Sequence, residues 1–207
     1  MKIGLTTSVI QRGKTGIAEY IFSLVRALGR CGREHEFILF ALEDDRPLFG
    51  FAGDFVRLVR VPEKFRPPLR DIFWHQTILP RLARELRLDV LHVPSYRRMP
   101  WHRPAGCALV ATVHDLAAFH VADKYDPLRM FYGRVVARQL ARRQDEIIAV
   151  SRHTAGDIGK FWRLPGEKIT VIHHGVNRER FFPVMPEIGK ATGRNHFGLQ
   201  RPFFLYV

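Results

Sequence analysis

The chain has 207 residues, 46% of them hydrophobic and 12% aromatic, which is enough apolar material for a full core and excludes disorder of the chain as a whole. Its two cysteines, Cys31 and Cys107, are too few for a disulfide framework or a cysteine-based zinc site, and no apolar run approaches the roughly 20 residues that span a bilayer. Thirty-three lysines and arginines against 20 acidic residues give a net charge of +13, an attraction that nucleic acid, anionic lipid headgroups and diphosphate-bearing small molecules all satisfy.

The sequence starts without a charged-then-apolar leader, so the expected location is cytoplasmic. Residues 2–7 form the first expected strand, and SVIQRGKTG follows at 8–16. Gly13-Lys14-Thr15 matches the tail of a nucleotide-hydrolase phosphate loop, but the glycine required five residues earlier is Ser8. Asp115, the nearest acid that could organise magnesium, does not directly close its strand. Gly13 and Gly16 instead allow a tight turn and a close backbone approach to a ligand, at a helix N-terminus that favours an anion. A plain strand-to-helix turn fits the same residues. The helix is predicted from Ile17, Tyr20, Ile21, Leu24, Val25 and Leu28, which lay one apolar stripe along it, with Gly29 and Gly32 bracketing its end.

Further strands are expected at 36–42, 55–61, 89–93, 108–113, 146–150 and 168–172. Helices are expected at 69–86, kinked or split by Pro80, and at 128–143 and 152–162. This alternation predicts an α/β fold, a doubly wound, Rossmann-like, mainly parallel sheet covered on both faces. Chemistry-bearing residues follow the strands: Gly13 and Gly16 after the first, Ser95 and Tyr96 after the fourth, His114 and Asp115 after the fifth, Ser151, Arg152 and His153 after the sixth, and His173, His174 and Gly175 after the seventh. In a parallel sheet these loops converge on one edge, where ligands bind near the topological switch point. His173 and His174, adjacent on a strand, point to opposite faces, so no metal site is expected there or elsewhere. Arg97, Arg98 and Arg103 alternate with Tyr96, Met99 and Trp101, a pattern that suits a membrane interface as well as a solvated basic loop. Nucleic acid is not expected as a partner, because helix-turn-helix, zinc-finger and RNA-binding strand signatures are lacking.

Several stretches together resemble one family. GKTGIAEYIFSLVRALG, LDVLHVPSYRRMPW, VATVHDLAAFH and EIIAVSRHTAGDIGKFWRLPGEKITVIHHGVNRERFFP are similar to the N-terminal half of a family 4 glycosyltransferase of the GT-B fold, with the flavour of bacterial mannosyltransferases and rhamnosyltransferases of surface polysaccharide synthesis. The resemblance implies an acceptor-side Rossmann-like domain over 1–183, a linker over 184–200 with a short helix ending near Phe197, and at 201–207 (RPFFLYV) the first strand of a donor-binding domain otherwise missing from the chain. The activity it implies is retaining transfer of a sugar such as mannose from a GDP- or UDP-linked donor, a co-substrate rather than a cofactor, to a glycan or lipid-linked acceptor, with no metal in the chemistry. Carried onto these residues, Gly16 faces the donor phosphates or acceptor, His114 sits beside the reacting sugar with general base as a further role, Ser151 lines the cleft, and Gly175 lies in the turn toward the linker. Gly13, Ser95, Tyr96, Asp115 and Arg152 complete the substrate-binding candidates, Asp115 doubling as a local cap. The 207 residues alone are expected to be inactive. An anionic membrane surface is the further expected partner, at the inner face of the cytoplasmic membrane, with 65–74 and 96–103 as docking segments. Two alternatives stand beside this reading: a stand-alone basic module that binds membrane or polyanion without catalysis, and a nucleotide hydrolase working through residues 13–15.

Overall fold

A computed structural model of the chain describes residues 1–32, 34–121, 127–178 and 180–201. The chain divides into two units, Met1–His174 and Gly175–Val207. In the first, β1 (Lys2–Thr6) leads through a turn of 3-10 helix (Ser8–Gly13) to α1 (Gly16–Cys31), then β2 (Glu36–Leu42), β3 (Val56–Val61), α2 (Pro68–Glu85), β4 (Val90–Val93) and β5 (Ala108–Val113). The short helices α3 (Ala117–His120), α4 (Pro127–Phe131) and α5 (Ala137–Arg142) precede β6 (Glu146–Ala149), α6 (Arg152–Asp157) and β7 (Ile169–Val171). All seven strands pair in parallel in the order β3-β2-β1-β4-β5-β6-β7. In the second unit α7 (Pro186–Phe197) stands where the short helix was expected, and residues 202–207, most of the expected strand RPFFLYV, lie outside the described residues.

Alternation along β2 shows why a continuous apolar run makes a strand here. Phe37, Leu39 and Ala41 pack with Ile21 and Val25 of α1, while Ile38, Phe40 and Leu42 pack with Trp74, Leu79 and Ala83 of α2. Both faces are therefore covered by helix, as a parallel sheet requires. A third cluster joins Ala111 and Val113 of β5 and Ile147 and Ala149 of β6 to Leu140, Ile158 and Trp162.

Helix α1 starts at Thr15, whose Oγ1 accepts the Ala18 N–H at 3.1 Å, and ends where the Gly32 N–H reaches the Leu28 carbonyl at 2.8 Å. Gly29 does not bracket that end. It lies inside the helix because the Phe55 ring occupies the space of its missing side chain, 2.4 Å from where a Cβ would stand. Pro80 does not split α2, which runs as one element through it; Leu79 just before it and Ala83 one turn on are buried against the sheet and hold the helix in place. The segments predicted as plain helices at 128–143 and 152–162 each contain a wider π turn, Tyr132–Val136 and Ile158–Trp162. The two turns meet where Trp162 Nε1 donates to the Gly133 carbonyl at 3.4 Å. The 3-10 turns of Glu43–Phe55 had no expected counterpart.

Candidate functional site

From β1 the chain steps outward to β2 and β3, and after α2 it returns to β4 on the other side of β1. That reversal leaves a crevice beyond the C-terminal ends of β1 and β4, the position where open α/β sheets bind ligands. A cavity of about 440 Å³ occupies it. Its walls come from the loop after β1 (Ser8, Val9, Gln11, Arg12), the start of α1 (Thr15, Ile17), the entry to α2 (Arg66, Pro68, Asp71), the loop after β4 (Ser95–Arg98 in sequence) and the loop after β5 (His114, Asp115).

The first wall folds back through three successive residues with positive φ: Gln11 at 47°, Arg12 at 59° and Gly13 at 80°. Glycine adopts this region freely and the two residues before it do not, so the loop carries local strain beside the cavity. Thr15 uses its hydroxyl on the α1 cap, accepting the Ala18 N–H.

The floor is ionic. Asp71, only 4% exposed, accepts hydrogen bonds from Ser8 Oγ at 3.1 Å and from Arg98 Nε, and its other oxygen lies 3.1 Å from His75 Nδ1. Burial alone would raise its pKa; the hydrogen bond and charge of His75, with those of Arg98, outweigh it and hold Asp71 below the usual carboxylate range. Arg66 is fixed by Glu63 and by both carboxylate oxygens of the buried Asp45, at 3.1 and 3.2 Å. With Arg12 and Arg97, four guanidinium groups line the cavity; Arg12 pairs with Asp44, Arg66 with Glu63 and Asp45, and Arg98 with Asp71, so the wall offers positioned N–H donors whose charge is offset by neighbouring carboxylates.

His114 is half-buried. Its Nε2 lies 3.2 Å from the Pro94 carbonyl, which can only accept, so Nε2 carries the proton and Nδ1 keeps a lone pair. Burial, and then the neighbouring His174, push its pKa below the ordinary histidine value, so the ring is neutral at neutral pH. Tyr20 meets it edge-on at 5.0 Å, and His174 stacks on Tyr20 at 4.8 Å. Beneath this trio Tyr20 Oη is 3.2 Å from Thr112 Oγ1, which is 2.8 Å from His92 Nε2. From the other side the Thr154 hydroxyl donates to the His114 carbonyl at 3.3 Å.

Of the residues singled out from sequence, Ser95, Tyr96, His114 and Asp115 meet at the cavity, and Gly13 and Gly16 belong to its first loop. A Cβ on Gly16 would meet nothing within 4 Å, so the helix start stays open. The Asp115 carboxylate accepts the Ala117 N–H at 3.0 Å, as a local cap does. Tyr96 is 8% exposed and packs on Trp162. Ser151 and Arg152 stand one strand further along the same edge, where Ser151 caps α6 by accepting the Thr154 N–H at 3.0 Å; neither lines the cavity. Gly175 opens the second unit. His174, expected on this edge after the seventh strand, stacks on Tyr20 there; sequence reasoning missed Tyr20, His92, Thr112 and the Asp71 cluster. The one available signal was His92, a polar residue on the alternate face of the apolar strand VLHV.

The family profile described as Glycosyltransferase Family 4 matches residues 14–180. Among curated proteins, the chain is 30% identical over 99 residues to the D-inositol 3-phosphate glycosyltransferase of Streptomyces scabiei, spanning 45% of this chain and 21% of that protein. It is 29% identical over 86 residues to the O-antigen chain mannosyltransferase RfbU of Salmonella typhimurium, spanning 42% of this chain and 22% of that one. The crystal structure of Anabaena Alr3699/HepE in complex with UDP-glucose superposes with a TM-score of 0.60 at 18% identity, over 96% of this chain and 50% of that chain, a likeness of fold. The matched region is thus a minor part of both curated relatives and about half of the solved structure.

Proposed function

The chain belongs to glycosyltransferase family 4, and from that premise we propose that it forms the acceptor-side half of an enzyme moving a sugar such as mannose from a nucleotide sugar to a glycan or lipid-linked acceptor. The observation that carries this reading is the cavity at the switch point, where four arginines and a neutral His114 share one wall system. Departure of a nucleoside diphosphate from a sugar builds negative charge on the leaving group, and a diphosphate-linked acceptor is itself an anion; guanidinium N–H groups held in place on the cavity wall are suited to donate to either. The acceptor hydroxyl must lose a proton as it attacks. His114, with Nε2–H turned to Pro94, offers Nδ1 to receive it. Gly13, Gly16, Ser95, Tyr96 and Asp115 bind substrate in this scheme, Ser151 and Arg152 bind it where the sugar extends beyond the cavity, and Gly175 remains a substrate-binding candidate by resemblance to the family.

The test is sugar transfer by the polypeptide that contains this chain, assayed with GDP-mannose and with UDP-linked sugars on lipid-linked glycan extracted from membranes. Replacement of His114 by Ala is expected to lower kcat by about 10²-fold, the usual contribution of a positioned acid–base group. Turnover equal to wild type would remove His114 from the chemistry. The 207 residues alone are expected to give no labelled product from either donor, and product formation by them would overturn the half-enzyme reading.

A further inference from the structure

Outside the cavity, His120, His153 and Asp157 bring three ligand atoms within 4.8 Å of one another. His120 ends α3. His153 and Asp157 lie four residues apart on α6 and therefore share one face of that helix. The Nε2 of His120 is 2.6 Å from Asp157 Oδ2, and the Nε2 of His153 is 3.6 Å from the same oxygen. The Asp157 side chain is 11% exposed and that of His153 is 79% exposed, so the carboxylate is held in place while the solvent side stays open to a water ligand.

We propose that His120, His153 and Asp157 form a surface site for a divalent transition-metal ion of the zinc type. Two imidazole nitrogens and a carboxylate oxygen are a ligand set that zinc accepts, whereas calcium and magnesium require oxygen ligands. Zinc bonds of about 2.0–2.2 Å place tetrahedral ligand atoms roughly 3.3 Å apart. The two separations to Asp157 straddle that value, and the exposed His153 ring is free to adjust. The site lies away from the cavity lining and concerns structure, not sugar transfer, so it departs from the sequence expectation of no metal without touching the proposed chemistry.

Its position gives it a consequence. Helix α3 follows His114 and Asp115 directly, and α6 already holds the His114 carbonyl through Thr154. Phe119 of α3 stacks at 4.5 Å on Phe161 of the π turn that continues α6. A metal bridging His120 to His153 and Asp157 clamps α3 onto α6 and stiffens the segment that carries His114.

The experiment is calorimetric titration of zinc into the metal-stripped chain, with Co²⁺ absorption as the spectroscopic readout, on wild type, His153→Ala and His120→Gln. Wild type is expected to bind one equivalent with micromolar affinity, to show visible Co²⁺ bands and to melt at a higher temperature when zinc is present. Each variant is expected to lose at least about tenfold in affinity together with the bands, while His153→Ala without zinc melts like wild type because its ring is exposed. Histidines and cysteines elsewhere contribute equally to all three proteins. Equal zinc binding by wild type and His153→Ala overturns the proposal, and so does zinc binding weaker than millimolar in all three.

Discussion

The histidines beneath and beside the cavity make the protein's stability depend on pH in a definite direction. Burial, and then the charge of His114, lower His92 to about 4; His114 and His174 are also lowered. A folded-state pKa below the unfolded value near 6.5 means the unfolded chain binds more protons between the two values. The stability these neutral rings contribute is complete above about pH 6.5 and is lost as pH falls through the folded pKa values. For His92 alone the loss down to pH 4 is at most about 3 kcal/mol. The urea midpoint is therefore expected to fall between pH 7 and pH 4, and His92→Gln, which cannot titrate but can still meet the Thr112 hydroxyl, is expected to flatten that slope. A wild-type midpoint unchanged across this range would contradict the neutral cluster. The same sign applies to His114: protonation removes the lone pair on Nδ1, so kcat of the proposed sugar transfer should decline on the acid side of its lowered pKa.

At the scale of the elements, Gly29 is the sharpest case of packing overruling propensity. Alanine favours a helix interior over glycine by about 1 kcal/mol, yet three atoms of the Phe55 ring lie 2.4–2.9 Å from where the new methyl would sit. A rigid ring must move to admit it, and overpacking of this kind costs about 1–3 kcal/mol. Gly29→Ala is expected to lower the melting temperature despite its better propensity; a rise would mean that Phe55 swings aside freely. The same contrast explains what the sequence made legible. All seven strands were readable to within a residue at each end; the central ones stand out because a strand buried on both faces is an apolar run such as FILFAL or ALVATV, and β3 (VRLVRV) because its β-branched and Leu residues recur between turn signals. Their C-terminal loops then delivered Ser95, Tyr96, His114 and Asp115 to one cavity. The failures occur where distant partners decide. Pro80 is tolerated because Leu79 and Ala83 anchor the helix to the sheet around it, the π turns meet through Trp162 and Gly133, and Asp45 and Asp71 look like ordinary helical acids until Arg66 and Arg98 reach them from other elements. None of these pairings leaves a local spacing to read.

For the molecule as a whole, the net charge of +13 is too large to be used up by the cavity. Among the described residues no helix is long and apolar enough to cross a membrane. The structure narrows the two docking segments proposed from sequence. Phe65, Trp74, Tyr96 and Met99 are buried in the core and cannot reach a bilayer. Leu69 and Phe73, four residues apart on α2, are 76% and 57% exposed, and Trp101 is exposed with the Arg143 guanidinium 3.9 Å over its ring. Apolar side chains standing among arginines fit the headgroup level of an anionic leaflet, where each basic residue near the surface contributes about 1 kcal/mol. If these groups dock the chain, its partition onto vesicles containing phosphatidylglycerol should fall at least tenfold between 50 and 500 mM salt, because the screening length shrinks from roughly 14 Å to about 4 Å. Neutral phosphatidylcholine vesicles should bind little at either concentration. Leu69→Ser with Phe73→Ser should weaken binding at low salt while leaving its salt dependence intact, since those residues supply insertion and the arginines supply attraction. Binding that ignores both salt and lipid charge would instead favour the diphosphate groups of the proposed substrates as the partners of the basic surface, and would leave the exposed pair on α2 without a role at the membrane.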